Sequence, residues 1–472
     1  MPLIYVGVGI LLMLFFLMVV KLDAFFSILI TTFAVGLLNG MNIMEILDSV
    51  LNGIGGTMGK IILILTFGAM LGKLIEESGA AHTLTYRLTE IFGVKNIQYV
   101  ILITGFLVGL PMMYNASFLV LIPLIYTFSS TTKLPLLYLG IPLSATLSIA
   151  HAYLPPHPAP TYISVIYGAN VNSVLLIGLV PVIPACLIAG IMLSKFFKKL
   201  DVKPPAELHE EKHFEKSELP GLGISIFTML IPVLLMLCGA IADLIFGIPP
   251  GKTELLAKGM NLTDFYGQQL IANGYAASSA ELMAKLVTFA KFFSDANMAL
   301  MMAVLVGMYT LGIRQGKKIP EIIKFLNKSV GAIAMIILII AAGGAFSQVL
   351  KDSQVNTYIA EMAKGITFNP LILAFSVAAV LRLAIGSATV ATMTAAPIML
   401  PIAIQSGISP ELMVLATGSG SLMFSHFNDI GFWMFKEYYN VSIKQTFAIW
   451  TVMECLVAIV GLIAALVLNI FM

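Results

Sequence analysis

Apolar stretches able to form membrane-crossing helices recur from one end of this chain to the other, and they limit its fold more than any motif does. They lie near 3–20, 24–39, 58–75 and 173–194, and again near 222–247, 293–313, 329–350 and 444–470. Crossing a ~30 Å hydrocarbon core takes about 20 helical residues, and backbone in lipid must satisfy its own hydrogen bonds. Only 11% of the 472 residues are charged and the mean hydropathy is +0.98, which excludes a large soluble domain between the spans. A net charge of +2 lacks the basic surplus that grips many phosphates, so nucleic acid is not an expected partner. Cys186, Cys238 and Cys455 are far apart and apolar in context, so neither a disulfide framework nor a zinc site is expected. The run 3–20 has no basic residue before it and no small-residue cleavage site after it, and reads as a retained first span.

The most polar segment, 195–220, carries six Lys and six acidic residues with Pro204 and Pro205. It reads as a cytoplasmic linker over 195–221, joining a first half (1–194) to a second half (222–472). A second polar insertion at about 250–291 is expected to form short amphipathic helices on the periplasmic membrane surface. The halves match at a constant offset of 275 residues: 68–78 (GAMLGKLIEES) falls on 343–353 (GGAFSQVLKDS), 109–117 on 384–392, and His151 on His426. Such self-similarity is the mark of a transporter built from repeats.

Two interruptions sharpen the picture. Fourteen residues, 97–110, precede Pro111, and fifteen, 371–385, precede Gly386. Each arm therefore rises only ~21 to 22 Å, short of a crossing. A second apolar arm follows each break, so re-entrant hairpins are expected at about 97–130 and 369–406. Non-helical backbone at membrane depth must be covered by protein or line a cavity, which makes the tips binding-site candidates. Downstream, Pro155, Pro156, Pro158 and Pro160 follow His151, and Ser425–Gly431 (SHFNDIG) interrupts another apolar run. Both regions, about 134–165 and 411–435, read as broken helices. The expected fold is thus an all-α polytopic membrane protein, each half holding about five spans, one hairpin and one broken helix. With the linker inside, most of the 26 Lys and Arg fall on the cytoplasmic side. An odd number of crossings per half then makes the repeat inverted.

Arg382 lies one turn before the second hairpin tip, and a guanidinium at membrane depth marks either function or a tight internal pair. It is read as a bidentate clamp on a substrate carboxylate, with a salt bridge to Asp429 as the structural alternative. His426 and Asp429 are candidate proton carriers, with Asn428 between them and capping of the next helix as the other role for Asp429. His151 gains weight from its repeat mate His426; His157 reads as packing. Tyr114, Asn115, Ser387, Thr389 and Asn428, with Ser117, Ser148, Thr161, Thr392, Ser419 and Ser421 nearby, supply hydroxyls and amides suited to a polyhydroxylated substrate, or else bond between helices. The glycines at 53, 55, 56 and 59 fail the phosphate-loop pattern because Ile61 stands where Ser or Thr would hold Mg²⁺. They read as close helix packing, and without an ATPase module transport would draw on an ion gradient.

These motifs, 68–81 (GAMLGKLIEESGAA), 151–160 (HAYLPPHPAP), 382–391 (RLAIGSATVA) and 425–436 (SHFNDIGFWMFK), resemble the signatures of the gluconate permease family of gluconate:proton symporters. The resemblance implies import of gluconate or a related sugar acid or small hydroxy-carboxylate, with fructuronate, glycerate and D-serine as other family substrates. It also implies a homodimer in the bacterial inner membrane, working as an elevator without a cofactor, with H⁺ as coupling ion and Na⁺ as the alternative. Substrate would meet Arg382, Ser387, Thr389, Tyr114, Asn115, His151 and Asn428, and the proton His426, Asp429 or His151. The chain departs from the family pattern at Asn115, where many members carry an acid, and at Ala159, where Gly is usual. A cation/proton exchanger is the rival reading, which Arg382 disfavours by repelling cations. An intramembrane enzyme would need a nucleophile or metal constellation that the sequence does not present.

Overall fold

The computed structural model describes residues 2–200, 202–204, 219–247, 255, 259–355, 357–358 and 368–472, with no strand among them. Most of the linker expected at 195–221 and the start of the insertion expected at 250–291 lie outside the described residues. In the first part of the chain run α1 (Pro2–Phe15), α2 (Ala24–Leu38), α3 (Ile43–Ser78), α4 (Ala80–Phe92) and α5 (Ile97–Gly109). These are followed by α6 (Tyr114–Thr132), α7 (Leu136–Tyr153), α8 (Pro158–Tyr167), α9 (Val171–Leu179) and α10 (Val182–Phe196). The second part holds α11 (Leu222–Phe246), α12 (Leu262–Ala272), α13 (Ala277–Ser294), α14 (Ala296–Gln315) and α15 (Ile319–Asp352). It ends with α16 (Pro370–Ile385), α17 (Ala388–Ser406), α18 (Pro410–Gly420), α19 (Ile430–Tyr438) and α20 (Ile443–Leu468). Among the described residues seven helices are long and apolar enough to cross a membrane, or up to nine when two bent pairs count as single spans.

Helices α3 and α15 begin well before the apolar runs at 58 and 329, because polar residues start them. Asn42 and Glu45 form a reciprocal capping box, and Glu321 closes the first turn of α15. With 36 and 34 residues they rise ~54 and ~51 Å, well beyond a hydrocarbon core. The two pack along each other, and at their closest approach a Cβ on Gly53 would stand 2.7 Å from the Cα of Ala345. Gly55, Gly56 and Gly59 meet nothing within 4 Å, so close packing within the chain explains Gly53 but not the other three. Gly53→Ala should therefore lower thermal stability, by about 1–3 kcal/mol as overpacking does, whereas Gly56→Ala should leave it unchanged or raised. Melting of the two purified variants checks this, and equal melting would put the crossing elsewhere.

The short arms keep the lengths that Pro111 and Gly386 impose. Helix α5 has 13 residues and α16 has 16, rising ~20 and ~24 Å. Helix α5 meets α4 at a sharp bend of 116° and packs mainly on α7; α16 packs on α17 and α18. Helix α7 stops at Tyr153, and α8 starts with Pro158 in its first turn, where a fixed φ and a missing N–H cost nothing. Of the stretch Leu136–Tyr167, 89% of the most apolar window is buried, against 61% or less in the other six candidate spans. It is the internal element around which the others pack. Helix α12 lies against α13 with Tyr266, Leu270, Ala280 and Ala284 buried between them, and Lys291 reaches both Asp243 oxygens at 2.8 Å to tie α13 to α11.

Candidate functional site

The two interruptions of the second half meet. Gly386 takes φ 83°, a conformation that disfavours any side chain, and a Cβ there would stand 2.6 Å from the Asn428 Cγ. Around this turn the last carbonyls of α16 lack helical partners. The Asn428 side-chain amide donates to Leu383 O at 3.0 Å, and His426 Nε2 lies 3.0 Å from the same oxygen. Residues 426–428 therefore cap the end of α16 from the side.

Arg382 is 2% exposed and donates to the Gly386 carbonyl and to the Asp429 carboxylate. Asp429 also accepts from the Ser425 hydroxyl and, at 2.9 Å, from the Gly431 amide at the start of α19. The salt bridge and the helix cap, both raised as structural readings of these residues, are present. They leave capacity: a guanidinium has five donors, and the buried Arg382 Nε has no partner. The His151 Nδ1 and Asn428 Oδ1 are likewise buried and unpartnered, while His151 Nε2 lies 3.4 Å from the Thr389 hydroxyl. Buried polar atoms are costly to leave unpaired, so these point to a polar guest.

The residues that carry them line one cavity of about 310 Å³. From the expected set, Tyr114, Asn115, His151, Arg382, Ser387, Thr389, Asn428 and Asp429 line it; His426 does not, being turned toward Leu383. First-half residues reach it through Met113–Asn115 at the start of α6 and Ser148 and His151 of α7, and Tyr114 packs edge-on against Trp450 with ring centroids 5.7 Å apart. The neighbouring hydroxyls mostly satisfy their own helices: Ser117, Thr392, Ser419 and Ser421 each donate to a carbonyl three or four residues back. Thr161 Oγ1 is buried without a partner, and Ser148 differs again, since its partner is the residue that motif reading passes over. It donates to Glu454, 1% exposed, the lone acid within α20 and a wall of the cavity. The signal was available, since an ionisable residue in a membrane span is a functional candidate by default. Four residues before it, Trp450 donates to Ser425 at 2.7 Å, so one face of α20 holds both the interrupted segment and this carboxylate.

Residues 1–471 match the GntP family permease pattern. The chain is 40% identical over 469 residues, 99% of each protein, to the high-affinity gluconate transporter of Escherichia coli (strain K12). It is equally 40% identical over 469 residues, again 99% of each, to the Gnt-II system L-idonate transporter of the same strain. Among solved structures, the Alcanivorax borkumensis YdaH transporter superposes with a TM-score of 0.57 at 16% identity, covering 89% of this chain and 87% of that one, a likeness of fold. Aligned over all but its final residue, this multi-pass membrane protein belongs to the GntP permease family and is a transporter, not an enzyme.

Proposed function

We propose that the protein is a secondary transporter that imports gluconate or a related sugar acid together with protons across a bacterial inner membrane. The carrying observation is the cavity, where a buried guanidinium with an unused donor is ringed by hydroxyl, amide and imidazole groups. Its volume is in the range of small-molecule sites. In this reading Arg382 binds the carboxylate, and Ser387, Thr389, Asn115, Asn428, Tyr114 and His151 meet the hydroxyls, which need donors and acceptors once out of water. Two relatives carry gluconate and L-idonate in their names, which supports a six-carbon sugar acid over a smaller carboxylate. His151 and Asp429, which line the cavity, are the proposed route by which a proton reaches the site, and H⁺ is the coupling ion proposed.

Helix boundaries support a repeat at the 275-residue offset, which this reading takes as inverted. Helices α3, α5, α6 and α7 start at 43, 97, 114 and 136, and α15, α16, α17 and α18 at 319, 370, 388 and 410. Helix α13 starts at 277 against 2 for α1, so the second unit would begin inside the 250–291 insertion. On this reading α5–α6 and α16–α17 are re-entrant hairpins, and α7–α8 and α18–α19 broken helices. Together they make the moving part of an elevator within a homodimer.

The test is uptake by the purified protein in liposomes. Addition of gluconate or L-idonate outside should acidify the lumen under an inward proton gradient, with accumulation abolished by a protonophore. Cation-driven proton flux without any sugar acid would overturn this reading in favour of an exchanger.

A further inference from the structure

We propose that Glu454 is the residence site of the coupling proton, an inference that rests on the transport reading and deepens it. The carboxylate is 1% exposed, lies on the wall of the substrate cavity and accepts a hydrogen bond from the Ser148 hydroxyl across 306 residues of sequence. Among the described residues it forms no ion pair. The titratable and charged groups that share the cavity with it are Tyr114 from α6, His151 from α7, Arg382 from α16, and Asp429, with Tyr153 of α7 and its chain neighbour Cys455 beside it. Arg382 is the one permanent cation among these, and it is already bonded to Asp429.

Charge arithmetic on this wall gives the coupling. The Arg382–Asp429 pair sums to zero, so an ionised Glu454 would leave the cavity with an uncompensated negative charge out of water, which is costly. A sugar-acid anion entering beside it would put two like charges in a low-dielectric space, and that repulsion opposes binding. With a proton on Glu454 the cavity is neutral and the anion meets the unused donors of Arg382 alone. Substrate therefore binds the protonated protein from the acidic side. On the alkaline side the proton leaves to water, the carboxylate ionises, and the anion is expelled. His426, by contrast, is turned away from the cavity toward Leu383, and Asp429 is held by three donors.

The experiment compares the parent, Glu454→Gln and Ser148→Ala in liposomes with gluconate as the probe. The amide keeps the shape and the neutral state but carries no proton. Glu454→Gln should exchange internal for external gluconate, lose at least tenfold of its proton-driven accumulation, and bind gluconate with an affinity that no longer changes between pH 6 and 8.5. Accumulation at parental level in Glu454→Gln would overturn the assignment. Should that variant fail to fold, Ser148→Ala decides: loss of the hydroxyl disfavours the ionised carboxylate, so the alkaline limb of the uptake profile should move up by about one pH unit. An unmoved profile overturns it. No gluconate-dependent proton uptake by the parent itself would overturn the transport reading along with this one, which separates the two failures.

Discussion

Asp429→Ala should cost about 3–5 kcal/mol of stability and abolish uptake, because it strands the guanidinium of Arg382 in a site where it is 2% exposed. The Gly386 carbonyl would remain as its sole partner among the described residues, and a neutral oxygen does not balance a buried charge. The same change removes the acceptor for the Gly431 amide and so uncaps α19, adding about 1 kcal/mol. Arg382→Lys should behave differently. A lysine keeps the charge near Asp429, so the fold should survive. It loses the planar fork, so substrate affinity should fall about tenfold, equivalent to ~1.4 kcal/mol. Thermal unfolding in detergent and titration with gluconate measure the two effects separately. A stable Asp429→Ala protein would show that the guanidinium is held by other groups, and unchanged affinity in Arg382→Lys would confine Arg382 to holding the Gly386 turn.

Asn115→Asp should lower substrate affinity about tenfold from pH 6 upward, where an exposed aspartate in the ordinary carboxylate range is ionised, and recover toward the parent only as pH falls toward 4. The side chain is exposed at the cavity wall near Arg382 and Glu454. An amide there donates and accepts at any working pH, whereas an ionised carboxylate only accepts and repels an anionic substrate. The sign follows: protonation of the new group at low pH removes the repulsion, so the variant approaches the parent as pH falls and departs from it as pH rises. Gluconate uptake by parent and variant across that range is the measurement. Superimposable profiles would place Asn115 away from the substrate.

Much of the site was legible because the residues that make it also break helices. Pro111, Gly386 and the Pro155–Pro156 pair mark breaks, and the structure ends α5, α16 and α7 beside them, while Pro158 and Pro160 begin α8. Arg382 and Asp429 stood out as charges in apolar surroundings, and they pair across 47 residues. The alternative of clamp or salt bridge was too narrow, since a fork with five donors can hold Asp429 and still have an unpartnered nitrogen. His426, expected as a proton carrier, does not line the cavity. Its neighbours in sequence line the cavity, but its imidazole caps a carbonyl of α16.

What the sequence by itself determined is local: membrane residence, the approximate place of most of the apolar helices, and several of the points where they stop. These follow from hydropathy, from the rise per residue and from the backbone chemistry of Pro and Gly. Which faces meet was decided only in three dimensions. In water an apolar stripe tells which side of a helix is inward, but lipid is as apolar as a protein core, so the periodicity that would have aimed Glu454 at Ser148, or Gly53 at Ala345, is erased from the pattern. The contacts that select a partner face in the membrane are a close glycine and a buried hydrogen bond. Each joins residues about 300 positions apart, so although Gly53 and Glu454 stand out in their own stretches, nothing around either names its partner.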